Sequence, residues 1–113
     1  MNESVSLKQK LIITIVKKGM AKIIIKASKQ AGAEGATVFL GTGTGVHEAK
    51  RIFFLDIDPE KEVVLTLTTK ETLNRIIDAI VAAGKLNKPG HGIAFVIDIK
   101  KTAGIVHLLR KNA

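Results

Sequence analysis

One pattern occurs twice in this chain, and it limits the possible folds more than any single residue does. An apolar, β-branched run leads to an amphipathic stretch and then to a second apolar run; after an irregular connection the same order returns. Two glycine-rich segments stand at matching places in this repeat. Gly41-Thr42-Gly43-Thr44-Gly45 leaves the run Ala36-Thr37-Val38-Phe39-Leu40, and Lys88-Pro89-Gly90-His91-Gly92 enters the run Ile93-Ala94-Phe95-Val96-Ile97. Closely spaced glycines let a backbone come near a ligand and turn successive N–H groups toward an anion. A phosphate-bearing small molecule is the natural occupant of such segments.

The elements follow from periodicity. Lys10-Leu11-Ile12-Ile13-Thr14-Ile15-Val16 is almost continuously apolar and reads as a buried central strand, broken by Lys17-Lys18-Gly19. Residues 20–31 place Met20, Ile23, Ile24, Ala27 and Ala31 on one helical face. Three consecutive isoleucines make strand and helix compete there; the lysine spacing and the alanines favour helix, with Gly32 as its stop. Residues 35–40 form a second strand and 62–68 a third. Ile52-Phe53-Phe54-Leu55 is an apolar island between them, and Asp58-Pro59 is a turn signal. Thr68 or Thr69 is the expected N-cap of a second helix, since Thr68 and Glu71 have capping-box spacing. Leu73, Ile76, Ile77 and Ile80 form its stripe, Glu71 and Arg75 lie one turn apart outside it, and Gly84 ends it. Residues 93–99 form a fourth strand, and 103–109 can add a fifth.

Composition narrows the class. A chain of 113 residues, nearly half apolar, is one domain with a real core, small enough to gain from oligomerisation. It has no cysteine, so no disulfide or thiolate chemistry. No run is long enough to span a bilayer, Met1-Asn2-Glu3-Ser4 does not open a signal peptide, and the expected compartment is the cytoplasm. The formal charge of +8 suits an anionic partner. Its excess lies in the first third, at Lys8, Lys10, Lys17, Lys18, Lys22, Lys26 and Lys29, where a solvated lysine face accounts for it as well as a nucleic-acid patch does.

The order β-α-β, loop, β-α-β is the ferredoxin-like split βαβ arrangement: an antiparallel four-stranded sheet with two helices on one face. Strands apolar on both faces leave the other side of the sheet needing cover, most simply a second copy of the chain.

With these pieces in order, the chain resembles the PII and PII-like signal-transduction proteins of nitrogen regulation. The resemblance rests on Leu11–Val16, on Gly35–Leu40 running into Gly41-Thr42-Gly43, and on Gly90-His91-Gly92 leading into Ile93–Asp98, and it covers residues 10 to about 109. It implies a homotrimer of ferredoxin-like subunits that binds ADP or ATP, with Mg2+ as a companion ion, in clefts between neighbours. It also implies a flexible T-loop, about 42–60 here, that acts on a target protein such as a membrane transporter or a metabolic enzyme. By position, Gly41, Thr42 and Gly43 fall at the base of the T-loop against the nucleotide. Thr37 falls where a strand threonine meets the adenine, and Leu67 near the strand backbone that meets the base. Gly90, His91 and Gly92 fall on the phosphate loop, and Lys61 on a basic position near the effector.

The departures point to a PII-like branch. The family's phosphate loop continues with a lysine where this chain has Ile93, so positive charge must come from His91, Lys88, Lys100 or Lys101. The place of the glutamine that helps hold Mg2+ and 2-oxoglutarate is at or near Gly45, which argues against 2-oxoglutarate sensing. The chain has no tyrosine to uridylylate, and its loop is shorter than usual.

Plainer readings compete. Glycines 41–45 alone describe a flexible turn and lack a Walker ending. Gly90-His91-Gly92 also describes a tight turn, with His91 either donating to a phosphate or facing water. His47, Glu48 and His107 match no zinc spacing, and no nucleophile–base–acid set is present, so neither a metal site nor an enzyme is expected. An RNA-binding module is the alternative. The charge favours it, but Leu11–Val16 and Glu62–Thr68 lack the aromatics that stack bases. A phosphate-ester hydrolase would want a loop arginine where residues 17–20 offer only lysines.

Overall fold

The computed structural model describes residues 8–43 and 60–104. Strand β1 (Gln9–Lys17), helix α1 (Ala21–Gln30), β2 (Thr37–Thr42), β3 (Glu60–Thr69), α2 (Leu73–Gly84) and β4 (Gly92–Asp98) follow in order. The sheet runs β2-β3-β1-β4, with every neighbouring pair antiparallel. This is the expected βαββαβ ferredoxin-like arrangement, with both helices on one face.

Alternation along the strands divides the sheet cleanly. Ile12, Thr14 and Val16 of β1 and Val64, Thr66 and Thr68 of β3 are buried toward the helices. Ile24 of α1 and Ile76 and Ile80 of α2 close that core, each without solvent exposure. The alternate residues, Leu11, Ile13, Ile15, Val63, Leu65 and Leu67, turn to the opposite, open face. Phe39, Ile93, Phe95 and Ile97 extend that apolar face onto the edge strands, where all four are exposed.

The expected face of α1 is corrected. Ile24 is buried but Ile23 is 48% exposed, and the inward face is Ala21, Ile24 and Ser28. Small residues at 21 and 28 let the helix lie close to the sheet, and the Ser28 hydroxyl is satisfied by donating to the Ile25 carbonyl at 2.9 Å. Ile23 is left among Lys22 and Lys26 on the outer surface.

The start of α2 is also corrected. Neither Thr68 nor Thr69 caps it. β3 continues to Thr69, a turn follows, and Thr72 is the N-cap residue without a side-chain cap bond. The ladder to Gln9 and Lys10 holds Thr69 and Thr68 in the strand, so the helix starts later. Arg75, expected to pair with Glu71, instead donates from Nε to the Ala31 carbonyl at 2.6 Å and satisfies the end of α1. Gly84 does end α2, but the left-handed residue is Lys85 (φ 52°, ψ 44°). The physical demand at Gly84 is space: a Cβ there would lie 2.9 Å from Ile24 Cδ1. The two helices meet at that point.

Strand ends shift by a few residues. β2 starts at Thr37 rather than 35 and runs through Gly41 to Thr42, and β3 starts at Glu60. Thr42 and Glu60 face each other in the ladder, so the β2–β3 connection is 43–59 rather than 42–60. Residues 44–59, with the apolar island, His47, Glu48 and Asp58-Pro59, lie outside the described residues, as do His107 and residues 105–109 of the possible fifth strand.

Adjacent isoleucines should therefore behave very differently. Ile24→Ala is expected to lower unfolding free energy by about 2–5 kcal/mol, and Ile23→Ala to change it by no more than about 0.5 kcal/mol, as read from urea midpoints.

Candidate functional site

The antiparallel register carries both glycine-rich segments to one end of the sheet. Gly41 faces Lys61, Lys61 faces Lys17, and Val16, beside Lys17, faces Gly92. The row Gly41, Lys61, Lys17, Gly92 thus crosses all four strands. Within one chain the segments stay on opposite edges. Three strand spacings separate them, roughly 14 Å.

The second segment is built by the chain's own packing. After α2 a series of turns runs through Lys88 N–H to Lys85 O (3.0 Å) and His91 N–H to Lys88 O (3.3 Å). Gly90 has φ +81° and Gly92 φ +137°. A Cβ on Gly92 would sit 2.5 Å from the Ile15 carbonyl oxygen, so only glycine lets β4 enter the ladder at this point. Lys88 is exposed, and His91 is half-buried beside it.

The first segment is different. Gly41 and Gly43 have no positive φ, and a Cβ at either would meet no atom within 4 Å among the described residues. The described residues give no reason for glycine at either place. Something outside the subunit that approaches the backbone closely would give one. Thr42 is exposed on the edge strand between them.

The remaining expected residues divide between the two ends. Lys61 lies on the open face opposite Gly41 and is only 8% exposed. Thr37 faces Leu65, and Leu67 stands two residues further along β3, opposite Leu11. Thr37 and Leu67 therefore share the open face, toward the end away from Gly41. Lys101 follows β4 at that far end, a strand length (roughly 20 Å) from the 90–92 turn of its own chain. Lys88, Gly90 and His91 belong to one turn of one subunit, and Lys101 does not.

A family description, nitrogen regulatory protein P-II, matches residues 9–107. The chain belongs to the P-II family. The solved structure of Arabidopsis thaliana PII bound to citrate shares its fold, with a TM-score of 0.68. The two are 18% identical, and the match covers 88% of this chain and 82% of that one. No helix among the described residues is long and apolar enough to cross a membrane.

One residue at this pole escaped the sequence reading. Glu62 Oε1 accepts from Gly19 N–H at 2.7 Å and from Ala21 N–H at 2.9 Å. Helix α1 has no acidic residue in its first turn and no side-chain cap of its own, so a β3 carboxylate does the work of an N-cap. The signal available in the sequence was the missing cap: Met20 precedes α1 where Ser, Thr, Asp or Asn is usual.

The two glycine positions should separate in experiment. Gly92→Ala is expected to destabilise by more than about 2 kcal/mol, through the contact with the Ile15 carbonyl and left-handed strain. Gly43→Ala should stay within about 0.5 kcal/mol of the parent or be slightly stabilising, as measured by denaturant titration.

Proposed function

We propose that this P-II family member is a regulatory nucleotide sensor. An adenine nucleotide, ADP or ATP, binds in clefts between copies of the chain in a trimer and sets the state of the β2–β3 connection, which engages a target protein. The observation that carries this reading is the pair of glycines, Gly41 and Gly43, where a Cβ would meet none of the described residues, at the same pole as the turn 90–92.

The geometry supports an inter-subunit cleft over a site within one chain. The two segments lie on opposite edge strands at one pole, so the β2 edge of one copy placed beside the β4 edge of another brings them together. The open face offers Leu11, Ile13, Ile15, Leu65 and Leu67 for burial between copies. In this reading the phosphates lie among Gly41, Thr42 and Gly43 of one copy and Lys88, Gly90, His91 and Gly92 of the next. The base lies toward Thr37 and Leu67. Lys101 at the far end serves a neighbour's ligand. Mg2+ enters with the phosphates. The protein acts by binding, through loop contacts that differ between liganded and empty states; no bond is broken. The target is a transporter or a metabolic enzyme, and the site of action is the cytoplasm.

The open face does not favour the RNA-binding alternative. Its aromatics, Phe39 and Phe95, lie on the edge strands, while central β1 and β3 present no aromatic side chain there.

Light scattering is expected to give three times the 12.1 kDa chain mass, and calorimetry to show ATP or ADP binding. Gly43→Asp places a carboxylate in open space and should abolish nucleotide binding with an unchanged thermal midpoint. Phe95→Lys, on the exposed open face, should yield a folded monomer. A monomeric parent, or no nucleotide binding together with salt-steep RNA binding, would remove this reading.

A further inference from the structure

We propose that Glu62 is a latch: it joins the end of the β2–β3 ladder, where the glycine segment begins, to the start of α1, so that the two open and close together. The two sites differ in kind. One is the base of a long connection, and the other is a helix terminus on the outside of the subunit.

The first three residues of β3 alternate in direction. Lys61 turns to the open face opposite Gly41, and Glu60 and Glu62 turn to the helix side. Both glutamates reach the β1–α1 turn. Glu62 Oε1 takes two backbone N–H groups, from Gly19 and Ala21. Glu60 Oε2 lies 3.2 Å from Lys18 Nζ. The strand that leaves the 43–59 connection is therefore fastened at two successive helix-side positions to residues 18–21.

The fastening is needed at the helix end. Ala21 opens α1 with no acidic residue in the first turn and no cap from Met20. Lost bonds from Glu62 leave N-terminal N–H groups without a protein partner. Glu62 is held in the ladder from two sides, opposite Val16 of β1 and opposite Leu40 of β2, and the β2 side ends in the pairs Leu40–Glu62, Gly41–Lys61 and Thr42–Glu60. A ligand or partner that displaces the last β2 pairs leaves this end of β3 held by Val16 and Lys17 alone and weakens the grip of Glu62 on the helix terminus. A frayed α1 terminus loosens the ladder end by the same free energy, because coupling between two sites is reciprocal. Lys22, Lys26 and Lys29 are exposed along α1, so the latch links the ladder end to the charge presented on the outer surface.

The test is amide hydrogen exchange by NMR on the full chain. Glu62→Ala should accelerate exchange at Gly19 and Ala21 by at least about tenfold, as expected for lost bonds to a charged acceptor, while Ile76 and Ile80 of α2 keep their protection. Gly41→Pro and Thr42→Pro are made in parallel, since one of two adjacent residues must donate to the ladder. The variant that opens the ladder end should accelerate the same α1 amides by a similar factor, and adding Glu62→Ala should bring no further change. Unaltered α1 protection in a ladder-opened protein with α2 intact overturns the latch, as do effects that multiply in the double variant. Where Glu62→Ala lowers protection in α2 as well, Glu62→Gln, which keeps an acceptor of the same length, replaces it and should give a smaller acceleration at the same amides. A ligand arm rests on the nucleotide reading: saturating ATP should change exchange at Gly19 and Ala21 in the parent and not in Glu62→Ala. If calorimetry shows no ATP binding, the nucleotide reading falls while the variants still decide the latch.

Discussion

Everything else in this subunit depends on β1 being apolar on both faces. It lies between β3 and β4, and its alternate residues answer two different demands. Ile12, Thr14 and Val16 require the helix layer, and α1 and α2 supply it. Leu11, Ile13 and Ile15 require a second cover that the other described residues do not supply. A strand of this kind builds a subunit and leaves half of its hydrophobic requirement unmet, and an assembly answers that requirement at little cost. The proposed clefts are a by-product of such assembly: two edge strands carry glycine segments at one pole, and only apposition of copies brings them to a common ligand.

The glycines show how two similar sequence signals differ in cause. Gly92 is required by its own chain, through a left-handed φ and the nearby Ile15 carbonyl. Gly84 is required by the approach of Ile24. Gly41 and Gly43 meet no such demand among the described residues, and this contrast makes them the informative pair. At the same pole, Glu62 ties the entry of β3 to α1, so this end of the sheet is not mechanically isolated from the helix layer.

The order of elements was legible in the residues because periodicity reports it directly. The β-branched run 10–16, the stripe Leu73, Ile76, Ile77, Ile80 and the glycine segments beside strands lead to βαββαβ, and the structure has that order. Precise faces were less legible. Ile23, Ile24 and Ile25 are equivalent by composition, and the choice of Ile24 for the core depends on how closely Ala21 and Ser28 let α1 approach the sheet. The capping box at Thr68 and Glu71 was a sound local signal that lost to the β1–β3 ladder, which holds Thr68 and Thr69 extended. Arg75 likewise left its helical neighbour for a carbonyl that folding brought near.

The sequence by itself determined the class of fold, the two glycine segments and an apolar surface larger than two helices can cover. Those properties are local or additive: they follow from side-chain period, backbone permissiveness and total apolar content. Only the tertiary structure decided that both segments share one pole on opposite edges, that Lys101 stands at the other end, and that Glu62 caps a helix remote in sequence. Register and long-range backbone bonding decide these, and they depend on which strands become neighbours, a relation no local pattern contains.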